Sequence, residues 1–154
     1  MGHVLDYNQI TDYLFVGKTP RARDYAELLR AGVRLVINMR VEAYALAINA
    51  RRSIKTIWLP SLDTKFTPIR VDKIVKAAKQ ADAVIKNGGK VYVYCRAGRH
   101  RSVAMATAIL ISQGLDIDSA VALMKSKRLV ADPEKPHIYK VISNFSRLWS
   151  THNI

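Results

Sequence analysis

Only one cysteine, Cys95, occurs in the 154 residues. A single thiol excludes an intramolecular disulfide framework and a multi-cysteine zinc site. The four histidines are scattered, so neither a metal nor a cofactor is expected. Proline (5) and glycine (7) are sparse and nowhere clustered into a linker. No repeat or low-complexity tract divides the chain, which reads as a single domain over residues 1–154. No apolar run approaches the roughly 18 residues needed to cross a bilayer, and the N-terminus lacks a secretory apolar segment. A soluble, cytoplasmic, monomeric protein is expected.

Acidic residues are also few. Twelve Asp+Glu face 25 Lys+Arg, a formal net charge of +13. Such an excess attracts anions, whether nucleic acid, an anionic membrane surface or a phosphorylated substrate. The basic residues are spread along the chain in short clusters such as Arg51-Arg52 and Lys125-Ser126-Lys127-Arg128, and most read as a solvated face. Neither a basic arm nor a cationic amphipathic helix is present, so nucleic acid is not an obligate partner.

The hydropathy pattern alternates strands and helices. Short strands are read at Asn8–Ile10 and Tyr13–Val16, followed by a helix over Arg21–Arg30 and a buried strand over Val33–Met39. A short helix over Glu42–Ala50 precedes the strand Ile54–Leu59, which Pro60 ends. After the loop Ser61–Pro68, Thr67-Pro68 reads as a helix start, the helix carrying Ile69, Ile74, Val75, Ala78 and Ile85 as far as Asn87-Gly88-Gly89. Lys90–Tyr94 is a strand and Arg101–Ser112 a helix. Asp116 or Asp118 caps another helix through Met124, and His137–Trp149 forms the last. This order indicates an α/β fold with a central, mostly parallel sheet flanked by helices.

The segment Cys95-Arg96-Ala97-Gly98-Arg99-His100-Arg101-Ser102 joins a strand to a helix, the place where an open α/β sheet forms its ligand crevice. Amides at a helix N-terminus converge on an anion. The same amides, with Arg101, favour Cys95 as thiolate, the nucleophilic form. The planar fork of Arg101 suits two oxygens of a tetrahedral oxyanion. Gly98 permits positive φ and close approach of backbone to the anion, and Ser102 is placed to hydrogen-bond the sulfur. Arg96, Ala97, Gly98, Arg99, His100 and Arg101 form the expected phosphate-binding loop.

This arrangement resembles the C-x5-R-[ST] signature of the cysteine-dependent protein tyrosine phosphatase superfamily, in its compact dual-specificity form. The stretch ITDYLFVGKTPRARDYAELLRAGVRLVINMR also looks like that family's opening, and the resemblance runs over about residues 10–149. It implies a strand–phosphate loop–helix active site and hydrolysis of phosphotyrosine, with phosphoserine and phosphothreonine, through a cysteinyl-phosphate. It also implies an aspartate general acid on a loop about thirty residues before the cysteine. Asp63 lies 32 residues upstream, whereas Asp72 and Asp82 fall in a predicted helix; Asp63 is therefore the expected acid, with capping of a turn as its competing role. Where the family usually has His before the cysteine, Tyr94 stands here, implying a less acidic thiol.

Arg96 and Arg99 make the loop similar to those of phosphoinositide and phosphatidylglycerophosphate phosphatases, so an anionic phosphorylated lipid or small molecule is the alternative substrate to a phosphoprotein. An RNA 5′-triphosphatase, a weakly active phosphate-binding module, and a rhodanese-like or arsenate-reducing thiolate enzyme are further alternatives; the last does not explain Asp63. For single residues the plainer roles are an N-cap for Ser102, solvation for Arg96 and Arg99, an exposed loop position or a neighbour of the acid for His100, and packing for Trp58, Phe66 and Trp149.

Overall fold

The computed structural model describes residues 4–41 and 53–152. Among these residues there are five strands: β1 Tyr7–Thr11, β2 Leu14–Gly17, β3 Val33–Arg40, β4 Lys55–Ser61 and β5 Lys90–Tyr94. They form one sheet in the order β1-β2-β5-β3-β4. β2, β5, β3 and β4 run parallel, and β1 is antiparallel at one edge. The helices are α1 Asp24–Arg30, α2 Val71–Lys86, α3 Arg101–Ser112, α4 Ile117–Lys127 and α5 Pro136–His152. The α/β architecture expected from the alternating pattern is the one observed.

Period-2 alternation along β5 divides the core. Val91, Val93 and Cys95 belong to the large apolar cluster built with α2 to α5, whereas Tyr92 and Tyr94 belong to the smaller cluster that α1 covers with Tyr25 and Leu28. Helix α3 is the central rod. Eleven of its residues, Arg101 to Ile111, are buried, which explains why its sequence is apolar all round rather than striped. Phe145 of α5 is fully buried and stacks on Trp149 with ring centroids 5.3 Å apart.

Several boundaries differ from the sequence reading. β4 continues through Pro60 to Ser61. It is an edge strand, where a missing N–H is tolerated, and its register with β3 shifts between Asn38 and Arg40. Helix α2 begins at Val71 and not at Thr67-Pro68: Arg70 stays extended at ψ 119° and forks onto Asp72 at 3.1 and 3.0 Å, while Ile69 is buried ahead of the helix. Helix α1 starts at Asp24 because the Asp24 carboxylate accepts the Arg21 N–H at 2.7 Å, closing a turn ahead of it. Asp116, not Asp118, caps α4 by accepting the Ser119 N–H at 2.8 Å. The helix expected over Glu42–Ala50 lies outside the described residues. Trp58 and Phe66 are not core residues. Trp58 is half exposed and donates its indole N–H to the Arg40 carbonyl at 2.6 Å, and Phe66 is 82% exposed.

Phe145→Ala removes the ring that joins α5 to the main core. It is expected to destabilise the fold by about 3–5 kcal/mol, read as a lowered midpoint at unchanged slope in urea unfolding.

Candidate active site

β5 lies between β2 and β3, and the chain leaves its C-terminal end at Cys95 to enter α3 at Arg101. The thiol is buried, with Ser102 Oγ 3.1 Å from Sγ. Burial alone would push this thiol up. Hydrogen bonds to the sulfur from the Ser102 hydroxyl and from the backbone N–H groups of Ser102, Arg99 and Gly98 outweigh that effect and hold it below the ordinary cysteine value. Ser102 is fully buried against the sulfur, and the helix cap position falls on His100 and not on Ser102. Tyr94 points to the opposite side of the sheet from Cys95.

The amides are aimed by an arginine that sequence reasoning assigned to a solvated cluster. Arg128 is 1% exposed, the largest of the fully buried side chains. Its Nε donates to the Gly98 carbonyl at 2.6 Å and its Nη2 to the Ala97 carbonyl at 3.1 Å; its Nη1 reaches Asp6 Oδ1 at 3.1 Å and Asn8 Oδ1 at 2.8 Å. In a planar trans peptide the carbonyl and the following N–H point in opposite directions. Holding the Ala97 and Gly98 carbonyls outward therefore turns the Gly98 and Arg99 amides inward, onto the sulfur. Gly98 has φ +65°, and a Cβ there would lie 2.6 Å from Arg128 Nη2 and 2.8 Å from the Gly17 carbonyl. Only glycine fits. The only sequence clue to Arg128 was that it closes its basic run where α4 ends.

Arg101 is 8% exposed and donates from Nη1 to the Ser61 carbonyl at 2.9 Å; the Ser61 hydroxyl in turn donates to the Met39 carbonyl at 3.0 Å. The guanidinium is thus tied to the ends of β4 and β3. Arg96, Ala97 and Arg99 are exposed around the loop.

Asp63, two residues beyond Ser61, meets the loop through His100: Nδ1 lies 2.7 Å from Asp63 Oδ2. The other carboxylate oxygen is 2.8 Å from His137 Nε2. Partial burial would push this carboxyl up, but the hydrogen bonds from His137 and His100 and their charges outweigh it and hold it below the ordinary aspartate value. His100 thus faces the acid, and His137, read in the sequence as one of several scattered histidines, joins the site from the first turn of α5. It was missed because 37 residues separate it from His100 and no local motif contains it.

A buried thiol receiving three amide N–H groups at a strand-to-helix junction, an arginine at the start of that helix and a carboxylate hydrogen-bonded to the loop's His100 together suit a tetrahedral oxyanion and its leaving group. The family model "Dual specificity phosphatase, catalytic domain" matches residues 14–146. Among curated proteins, mouse dual specificity phosphatase 28 is 27% identical over 128 residues, covering 82% of this chain and 76% of the relative. Phosphatidylglycerophosphate phosphatase PTPMT2 of Arabidopsis thaliana is 29% identical over 153 residues, 94% of this chain and 64% of the relative. The crystal structure of human dual specificity phosphatase 28 superposes with a TM-score of 0.81 at 26% identity, covering 94% of this chain and 95% of that one.

Two substitutions test how the thiol is held. Ser102→Ala and Arg128→Lys are each expected to move the midpoint of the pH profile for iodoacetamide alkylation of Cys95 upward. The first removes a donor to the sulfur; the second leaves one point charge where a fork held two carbonyls. Unchanged midpoints would show that neither residue sets the thiol.

Proposed function

We propose, for a chain that belongs to the dual specificity phosphatase family, that Cys95 is the nucleophile, Arg101 and the Cys95 loop the oxyanion clamp, Asp63 the general acid and base, and Ser102 the partner of the leaving sulfur. The chain is a cysteine-dependent phosphatase of the dual-specificity type. The observation that carries these roles is the convergence of the Ser102 hydroxyl and the Gly98, Arg99 and Ser102 amides on one buried sulfur.

In the first half-reaction the Cys95 sulfur attacks phosphorus as the ester P–O bond breaks. Fixed amides and the Arg101 fork stabilise the charge on the equatorial oxygens at no reorganisation cost, and Asp63 protonates the departing oxygen. In the second, water attacks the cysteinyl-phosphate, Asp63 takes its proton, and the Ser102 hydroxyl stabilises the returning thiolate.

The substrate class we favour is a phosphorylated protein, phosphotyrosine with phosphoserine and phosphothreonine. A second reading, a phosphorylated lipid, is supported by the relative named for phosphatidylglycerophosphate and by the exposed Arg96 and Arg99, since cations at the mouth favour substrates on an anionic surface. No helix among the described residues is long and apolar enough to cross a membrane. A nucleophile that works as a thiolate needs a reducing compartment, which supports a cytoplasmic location.

Cys95→Ser is expected to abolish turnover of p-nitrophenyl phosphate while retaining vanadate binding. Asp63→Asn is expected to slow phenyl phosphate by about 10²–10⁴-fold and to spare esters with better leaving groups. Wild-type activity of either variant on phenyl phosphate would remove its assigned role. A panel of phosphotyrosine, phosphoserine and phosphothreonine peptides beside phosphatidylglycerophosphate vesicles is expected to show highest kcat/KM on a peptide; a lipid preference would favour the second reading.

A further inference from the structure

Asp63 is gripped at both oxygens by imidazoles from two other elements, His100 at the entry to α3 and His137 in the first turn of α5. Their rings lie 6.3 Å apart, and each side chain is largely shielded, 12% and 13% exposed. The second nitrogen of His100, Nε2, is buried without a hydrogen-bond partner and stands 3.7 Å from Asp132 Oδ2. The ring therefore has a carboxylate near each nitrogen, hydrogen-bonded at Nδ1 and at ion-pair distance from Nε2. A further charged group at the trio is Asp132, from the segment before α5, and Arg101 of α3 holds the Ser61 carbonyl two residues before Asp63.

A lone carboxyl is a poor proton donor at neutral pH. At the ordinary aspartate value of about 3.9, about one molecule in a thousand carries the proton at pH 7, and the two histidine hydrogen bonds hold Asp63 lower still. Imidazole is the side chain that stores protons near neutrality.

We propose that His100 and His137 are positioning residues that share one proton with Asp63 and reload it at each turnover, the three side chains titrating as a single unit. The inference rests on the phosphatase reading of the site. In the first half-reaction the S–P bond forms and the P–O bond breaks, its electron pair going to the leaving oxygen. That oxygen takes a proton from Asp63 as an imidazolium N–H proton passes to the carboxylate. The net change is imidazolium to neutral imidazole, with Asp63 ionised before and after. In the second half-reaction the water oxygen bonds to phosphorus, the S–P pair returns to sulfur, and the water proton passes through Asp63 back to the imidazole. Such coupled groups show macroscopic titrations that belong to the set.

The test replaces the titrating rings while keeping a donor at each carboxylate oxygen. In the double variant His100→Asn, His137→Gln, an amide N–H stands near Nδ1 of the first ring and Nε2 of the second. The kcat/KM pH profile is measured on phenyl phosphate, whose leaving group needs a proton, and on dinitrophenyl phosphate, whose leaving group does not. The basic limb on phenyl phosphate is expected to move to lower pH by roughly 2–3 units, the order of the gap between imidazole and carboxyl values. That shift gives at least about a tenfold greater loss at pH 7.5 on phenyl phosphate than on dinitrophenyl phosphate, whose basic limb keeps its pH position whatever its height. An unmoved basic limb, or equal shifts on both esters, would overturn the inference while leaving the phosphatase reading intact. As a measurement on folded protein with both rings in place, NMR titration of the histidines in Asp63→Asn is expected to shift both rings together; rings indifferent to that change would also overturn it. A wild-type protein that hydrolyses neither ester would overturn the reading of the site itself.

Discussion

Two peptide planes, between Ala97 and Arg99, supply two of the four hydrogen bonds that hold the Cys95 thiol below its ordinary value. Their carbonyls are held by Arg128 and their amides by Cys95. Rotating either plane by half a turn would replace an inward N–H dipole with a carbonyl and put like charge beside the thiolate. A buried thiol in an apolar core is ordinarily pushed towards its neutral form. Here the desolvation that opposes ionisation also strengthens every remaining dipole, so the Ser102 hydroxyl and the three amides together outweigh burial. The left-handed turn at Gly98 lets the backbone lie between Arg128 and Gly17 without a side chain in the way.

The net charge of +13 is thus not one property but several. Arg128 is a buried strut satisfied by two carbonyls, Asp6 and Asn8; Arg101 is a nearly buried fork tied to Ser61; Arg96 and Arg99 are exposed cations at the mouth. The first orients the backbone of the Cys95 loop, the second ties the start of α3 to the end of β4, and the last two place positive charge at the surface of the loop. Composition treats the four alike because it counts charge without burial.

The acid side of the site follows a similar logic. Asp63 is brought to the loop by the end of β4, whose closing residue Ser61 is pinned to both Met39 and Arg101. The carboxylate is then held from the loop by His100 and from α5 by His137. Asp63, Arg101 and Cys95 therefore sit on three separate elements joined by hydrogen bonds, the preorganisation that the proposed roles require.

What was legible in the chain was whatever local chemistry enforces. The strand–loop–helix around Cys95 could be read because a buried strand, a glycine and a helix with two polar residues at its start are consecutive. Val91 and Val93 alternating with Tyr92 and Tyr94 marked β5, and Asp63 could be found by its distance upstream once the resemblance was seen. The strand through Pro60 and the late start of α2 were not legible, because edge position and the burial of Ile69 override local breakers and caps. Arg128 and His137 were hidden for a deeper reason. A guanidinium among lysines and a histidine at a helix start look like solvent-facing residues until packing brings α4 to β1 and α5 to the acid loop. Residue type and spacing pointed to an anion-binding thiolate loop; only the tertiary structure decided which distant side chains orient its amides and hold Asp63, because those contacts span 30 residues or more and depend on burial that no local pattern encodes.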